Sequence, residues 1–132
     1  AWQGIWQNGI AISGNVTVAG SVNSTLYYIL SSIRDDWPFG LSPGGLSTNA
    51  YNGHSFWDSE TWMYPTLLLL FTDIARSLLD YRCVWLRLEA AQRRAAEYGF
   101  EGAFFPWESA LTGVDCVAPP HIEGRYEHHI TG

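Results

Sequence analysis

The sequence has few basic residues and few cysteines. Lys and Arg together number seven against thirteen Asp and Glu, which gives a formal net charge of −6. Such a chain repels phosphate backbones and offers no basic stripe, and this argues against a nucleic-acid partner. Cys83 and Cys116 are the two cysteines, so no disulfide framework can be predicted, although a single bridge between them stays open.

Long apolar runs are missing as well. The run "TLLLLF" is flanked by Glu60 and Asp73, so no stretch reaches the roughly 20 apolar residues of a membrane span. The 132 residues are 47% hydrophobic and 15% aromatic, which favours one modest folded domain over a disordered chain. The sequence begins at Ala1 without a signal-peptide pattern and stops abruptly at Gly132. We therefore expect the natural ends of the protein to lie elsewhere.

The first third of the chain contains two helix patterns and a long loop. The tryptophans of "AWQGIWQ" are four apart and predict a short helix, whereas "GNVTVAG" predicts a short strand or extended turn. The segment "SVNSTLYYILSSIR" predicts an amphipathic helix, and residues 35–53 predict an ordered loop of the length that is often functional. Two Asn-X-Ser/Thr patterns, at Asn15 and Asn23, lean slightly towards a secretory route.

Two further helices follow, and they differ in character. The first begins near Trp57, continues through "LLLLF" and is apolar all round, so we expect a buried inner helix that is bent at Pro65. The second, residues 73–98, carries an apolar stripe that includes Tyr81 and Trp85 and a charged opposite face, so we expect an exposed outer helix. Inner helices covered by outer ones form a helical toroid, and one such pair cannot close a ring. The predicted fold is all-α, an incomplete part of an (α/α)6 toroid that occupies residues 1–132.

Two clusters combine aromatic residues with carboxylates. The first is "FWDSETW", with Phe56, Trp57 and Asp58, and the second is "FFPWESA", with Trp107 and Glu108. Aromatic faces bind the C–H faces of sugar rings, and carboxylates accept hydrogen bonds from sugar hydroxyls. Tryptophans of helical proteins more often belong to the core, but a carboxylate beside a buried aromatic needs a partner or a ligand. We expect both clusters to face one sugar-binding pocket, with Asp58 and Glu108 directed into it.

Several motifs resemble those of glycoside hydrolase family 65, in order and in spacing. They are "LSPGGLS", "YNGHSFWDSETWMYP", "IARSLLDYR", "AAEYGFEGAFFPWES" and "EHHITG", and the likeness covers most of the chain from Trp2 onwards. It is strongest to hydrolase-type members such as the acid trehalases and the glucosidase of glucosylgalactosylhydroxylysine. The resemblance implies an (α/α)6 toroid that cleaves α-linked glucosides with inversion and without a cofactor. It also implies that Trp57 and Asp58 hold the non-reducing glucose.

The resemblance also implies that the catalytic acid and base lie outside this chain. In the family, the general acid is a glutamate in a later Gly-Pro-Asp-Glu-Tyr-like segment, and the base or phosphate site follows it. Both are therefore expected beyond Gly132, and no catalytic residue is assigned within residues 1–132. On chemistry alone Asp58 and Glu108 could form the acid–base pair of an inverting glycosidase. The family pattern favours a binding role for both.

Histidines raise the alternative of a metal site, because three of them lie close to two glutamates: His121, His128, His129, Glu123 and Glu127. Adjacent histidines point to different sides, and no four-ligand spacing is present, so we predict no metal. One of the adjacent pair is expected to line the pocket or cap a helix, and His54 is expected to bind a loop carbonyl.

Three functions stay open from the sequence. The first is part of an inverting α-glucoside hydrolase, trehalase-like or glucosylgalactosylhydroxylysine-glucosidase-like, that carries part of the glucose pocket. The second is a non-catalytic remnant that serves as a binding or packing element in an assembly, and the third is a disaccharide phosphorylase. In each case we expect other protein segments or chains to cover apolar helix faces that this chain leaves exposed.

Overall fold

The computed structural model describes residues 2–130, so Ala1, Thr131 and Gly132 lie outside the described part. The structure is mostly helical, as the sequence predicts. Its α-helices are α1 (Trp2–Ile5), α2 (Val16–Ser31), α3 (Tyr64–Leu70), α4 (Thr72–Cys83) and α5 (Trp85–Glu97). Short 3-10 segments span Trp6–Asn8, Ala50–Gly53 and Ile122–Tyr126, a π-helical turn spans Ser59–Met63, and the strands are β1 (Ser55–Phe56) and β2 (Glu108–Ser109). Within residues 2–130, no helix is both long and apolar enough to cross a membrane.

Helix α2 begins earlier than predicted, because a capping residue overrides a strand-like pattern. The Asn15 side chain accepts a hydrogen bond from the Val18 backbone N–H at 3.0 Å and so satisfies one of the free donors at the helix start. The expected strand or turn in "GNVTVAG" is therefore wrong, and Val16 opens the helix with its side chain 90% exposed. The predicted amphipathic helix is confirmed as the rest of α2, where Leu26 and Leu30 are buried.

The segment predicted as one bent helix from Trp57 is a π-helical turn joined to α3. The Trp57 carbonyl accepts hydrogen bonds from the N–H groups of both Glu60 and Thr61, which starts the helical path at the predicted residue. Pro65 lies in the first turn of α3, where its missing N–H costs little.

The predicted outer helix of residues 73–98 is two helices rather than one. Val84 has φ −56° and ψ 134°, which ends α4 and starts α5. Tyr81 is buried as predicted, whereas Trp85 is 75% exposed. The apolar stripe thus holds for α4 and fails beyond the break, because α5 is rotated and buries a different set: Arg87, Ala90, Ala91, Arg94 and Ala95.

The core packs α2, α3 and α4 together, and its buried members are Leu26, Leu30, Leu41, Leu67, Phe71, Ala75 and Leu78. The helix predicted to lie inside, α3, is less buried than α4, which was predicted to lie outside, so this expectation is wrong for the described chain. Leu67 is the buried residue of α3, whereas α4 buries Ala75, Leu78, Tyr81 and Arg82. The exposed apolar surface predicted along "MYPTLLLLF" is confirmed, since Leu68 is 44% and Leu69 84% exposed. A helix that is apolar all round and yet partly exposed indicates that the outward face of α3 is left uncovered by residues 2–130.

Only some of the charged residues of α4 and α5 are exposed to solvent. The predicted surface pairs Arg76–Asp80 and Arg93–Glu89 are present, at 3.7 Å and 2.9 Å. The predicted pair of Arg93 with Glu97 is not formed among residues 2–130. Three other arginines, Arg82, Arg87 and Arg94, are at most 7% exposed and turn towards the loops instead.

Candidate functional site

A short antiparallel ladder brings the two aromatic–carboxylate clusters together. Strand β1 pairs with β2 so that Ser55 lies opposite Ser109 and Phe56 lies opposite Glu108. The rings of Phe56 and Trp107 meet edge to face with centroids 5.3 Å apart. Segments fifty residues apart in sequence therefore form one local surface, as the sequence predicts.

Trp57 and Trp107 line one cleft of about 300 Å³. The remaining wall comes from the 3-10 segment Ile122–Tyr126 and its flanks, and its lining residues are His121, Glu123, Gly124, Glu127 and His129. Gly124 packs against the Trp107 ring so closely that a Cβ would lie 2.7 Å from it. The Trp57 and His129 rings meet edge to face at 4.9 Å, so one histidine of the adjacent pair lines this cleft.

The two carboxylates are placed differently from the tryptophans. Neither Asp58 nor Glu108 lines the cleft, so the common cavity predicted for this pair is not observed. Asp58 is partly buried, and none of residues 2–130 donates a hydrogen bond to its carboxylate. Glu108 contacts His54, with 2.7 Å between Oε1 and Nδ1. The predicted bond from His54 to a loop carbonyl is thus replaced by a bond to a site carboxylate.

The buried Arg82 side chain of α4 forms hydrogen bonds with both aromatic–carboxylate clusters. Its Nε binds Glu60 Oε1 at 2.7 Å and its Nη2 binds Glu60 Oε2 at 3.2 Å. The same guanidinium donates to the Phe56 carbonyl at 3.3 Å and to the Ser109 hydroxyl at 3.0 Å. One α4 side chain therefore fixes β1, β2 and the π-helical turn, and the sequence did not identify Arg82 as a site residue.

Arg87 and Arg94 anchor the loops around the ladder. Arg87 donates to the carbonyls of Leu111 at 3.1 Å, Tyr81 at 3.0 Å and Pro38, and burial lowers its pKa. Arg94 binds Asp115 at 2.5 Å and donates to the Arg125 carbonyl. The second bond holds the 3-10 segment that forms a wall of the tryptophan cleft.

The histidine-rich part of the cleft does not form a metal site within residues 2–130, because no three ligating side chains converge there. His121 lies 3.6 Å from Glu123 and His129 lies 3.2 Å from Glu127, each as an isolated pair on the surface. Cys83 and Cys116 are free thiols in the described chain, so they form no disulfide bridge. Burial raises the pKa of the Cys116 thiol.

Comparison with known proteins agrees with the motifs that form this site. The profile of the glycosyl hydrolase family 65 central catalytic domain matches residues 24–131. The chain belongs to glycoside hydrolase family 65. The match includes both aromatic–carboxylate clusters and the 3-10 segment, so the described surface is part of the catalytic domain of this family.

Two relatives of this family 65 chain are named as hydrolytic enzymes. It is 44% identical to the kojibiose hydrolase of Flavobacterium johnsoniae over 131 residues, 99% of this chain and 19% of that protein. It is 48% identical to the protein-glucosylgalactosylhydroxylysine glucosidase of Dictyostelium discoideum over 134 residues, 98% of this chain and 18% of that protein. The chain thus spans about a fifth of the length of these curated relatives.

A solved structure supports the fold assignment. It bears the name of a kojibiose phosphorylase from human microbiome and superposes with a TM-score of 0.73 at 27% identity, over 88% of this chain and 17% of that one. The helices of this chain are therefore part of a larger helical toroid, and family 65 relatives include both glucosidases and phosphorylases.

Proposed function

We propose that this chain carries part of the glucose-binding pocket of an inverting α-glucoside hydrolase. In this proposal Phe56, Trp57, Asp58, Trp107 and Glu108 contact the substrate, and the catalytic acid and base come from outside residues 1–132. The observation that carries it is the ladder that joins the two clusters, with Trp57 and Trp107 on one cleft. Tryptophan faces and carboxylates together match the apolar faces and hydroxyls of a sugar.

Asp58 is the residue we assign to glucose hydroxyls. None of residues 2–130 donates a hydrogen bond to the partly buried Asp58 carboxylate, so its oxygens are available to accept hydrogen bonds from sugar hydroxyls. An ionised carboxylate accepts at both oxygens, so Asp58 could bind two hydroxyls of one ring. Trp57, adjacent in sequence, provides an apolar surface for the same ring.

Hydrolysis is favoured over phosphorolysis by the relatives. The two relatives that are 44% and 48% identical carry the names of a hydrolase and a glucosidase, while two kojibiose phosphorylases are 35% and 36% identical and the phosphorylase structure is 27% identical. Their names make kojibiose and glucosylgalactosylhydroxylysine the first substrates to test. Trehalose remains in the test because the sequence motifs resemble those of trehalases.

The experiment uses the full-length protein that carries this chain. Each of the three glucosides is incubated with and without inorganic phosphate, and glucose and glucose 1-phosphate are quantified. We expect glucose at a rate independent of phosphate, with the β-anomer formed first because an inverting reaction gives that configuration. Phosphate-dependent release of glucose 1-phosphate would make the protein a phosphorylase, and no cleavage of any glucoside would favour a non-catalytic element.

The site assignment is tested by Asp58→Asn in the same protein. Loss of charged hydrogen bonds to two hydroxyls should lower kcat/KM by about 100-fold or more. The matched control is Asp73→Asn, an exposed aspartate in the first turn of α4, which should change kcat/KM by less than about twofold. Equal activity of the Asp58 variant and the control would remove Asp58 from the pocket.

A further inference from the structure

Glu108 is held at one oxygen and open at the other. Its side chain is 14% exposed, and its Oε1 lies 2.7 Å from Nδ1 of His54. Among residues 2–130, no group donates a hydrogen bond to Oε2 of Glu108. The carboxylate therefore has one direction fixed by the protein, and its second oxygen is free to accept a hydrogen bond from a ligand.

His54 is itself held in place by the backbone around it. Tyr51, Asn52 and Gly53 have φ values of 63°, 53° and 71°, which form a tight left-handed turn closed by a 2.8 Å bond from the His54 N–H to the Tyr51 carbonyl. Strand β1 starts immediately after this turn. Since Phe56 lies opposite Glu108, His54 reaches that carboxylate diagonally across the ladder.

We propose that His54 is a positioning residue for substrate binding, which acts by orienting the carboxylate of Glu108 towards a sugar hydroxyl. The inference rests on the proposed function, because it assigns Glu108 to the substrate. His54 contacts the substrate-binding carboxylate and restricts its rotation, so the free oxygen is directed before the sugar arrives. A preoriented acceptor loses less conformational freedom on binding than a mobile one.

The role requires a proton on Nδ1 of His54 but no change in charge. Both the imidazolium and one neutral tautomer carry that proton, so either form donates to Glu108. The other titratable groups near the carboxylate are the Cys116 thiol and Asp115, which follow Glu108 on the adjacent loop. Neither replaces the histidine, since the Asp115 oxygens accept hydrogen bonds from the Val117 N–H and from Arg94, and the Cys116 thiol donates to the Val114 carbonyl.

The test compares two substitutions in the full-length protein. Leucine at position 54 fills similar space and cannot donate, whereas asparagine places its amide nitrogen close to the position of Nδ1. We expect His54→Leu to lower kcat/KM for the cleaved glucoside by about 10-fold or more, the size of one lost charge-assisted hydrogen bond. His54→Asn should keep kcat/KM within about threefold of the wild-type value, because the donor is restored. The control His128→Leu, on an exposed ring stacked on Phe104, should leave kcat/KM unchanged.

A double-mutant cycle with Glu108→Gln separates positioning from general structural support. If His54 acts through Glu108, adding His54→Leu to Glu108→Gln should cost less than about twofold in kcat/KM. The same loss in both backgrounds, or no rescue by asparagine, would overturn the proposal. Should His54→Leu fail to fold, the cycle is run with His54→Asn and His54→Gln, where a glutamine as active as the asparagine would also overturn it. An inactive wild-type protein would instead refute the proposed function.

Discussion

Replacement of Arg82 by methionine tests whether the ladder depends on one buried guanidinium. Methionine keeps the length and apolar body of the side chain and removes the charge. The Arg82 side chain is 7% exposed and that of Glu60 is 20% exposed, so the substitution leaves a carboxylate mostly withdrawn from water. It also removes the donors to the Phe56 carbonyl and to the Ser109 hydroxyl.

The expected cost follows from these contacts. Removing one partner of a buried ion pair destabilises a protein by about 3–5 kcal/mol, chiefly because the other charge stays behind without compensation. The loss of Arg82 should lie in this range, since Glu60 loses both its hydrogen bonds at once. Replacing Glu60 by methionine as well removes the stranded charge. The double variant should therefore recover at least about 1 kcal/mol relative to Arg82→Met alone.

The assay is urea unfolding of the full-length protein, with hydrogen exchange of peptides that cover β1 and β2 as a local measurement. The matched control is Arg93→Met, which breaks a pair of the same chemistry with Glu89 at 2.9 Å on the surface. Its cost should stay below about 1 kcal/mol, because exposed pairs contribute little. A cost for Arg82→Met as small as that of the control, or unchanged exchange in β1 and β2, would refute the argument.

Three further predictions concern packing and thiol chemistry. Gly124→Ala should displace the Trp107 ring, since the added Cβ would lie 2.7 Å from it; we expect a lower kcat/KM and altered tryptophan fluorescence, and unchanged values for both would contradict the packing. Leu69→Ala should destabilise the full-length protein by about 2 kcal/mol or more if other helices cover its 84% exposed side chain, whereas urea unfolding within about 0.5 kcal/mol of wild type would mean that this face stays open. Cys116 should react with a disulfide reagent more slowly than the exposed Cys83 near pH 8, because burial raises the pKa of the Cys116 thiol, lowers its thiolate fraction and restricts access to it; equal rates for the two thiols would contradict this.

Periodicity predicted the helical class well and the helix ends less well. The repeat of apolar residues identified α2 and α4 because burial of one face determines that repeat. It could not predict the break at Val84, where a single residue leaves the helical region and rotates everything after it. The strand or turn assigned to "GNVTVAG" failed for a similar reason, since one hydrogen bond from the Val18 N–H to the Asn15 side chain outweighs a weak β preference.

Side-chain burial was also hard to predict where it depends on neighbours. The α3 leucines indicate an inner helix by composition, yet Leu68 and Leu69 are exposed within this chain. Composition reflects the environment in which a helix is buried, and the chain spans about a fifth of its relatives' length. The relative burial of α3 and α4 in this chain therefore reflects which neighbours are present as much as the layer to which each helix belongs.

For the site, the sequence identified residue types suited to sugar contact but not the residues that hold them. Aromatic–carboxylate pairs have a chemical signature that is independent of fold, which is why Trp57 and Trp107 were predicted to share a pocket. The arginines behind them have no such signature, because many of their partners are backbone carbonyls, such as those of Phe56 and Leu111. Any residue can supply a carbonyl, so these contacts appear only once the chain is folded.

The arginines behind the cleft and the tryptophans that line it should respond differently to substitution. The contacts of Arg82 and Arg94 reach the site from helices α4 and α5, so they set the position of β1, β2 and the 3-10 wall without touching the cleft. A substitution of either arginine should move several site residues together, whereas a change at Trp57 or Trp107 alters one contact. Under the proposed function, we expect substitutions of the tryptophans to change substrate preference and substitutions of the arginines to change stability, because the tryptophans line the cleft and the arginines hold the elements behind it.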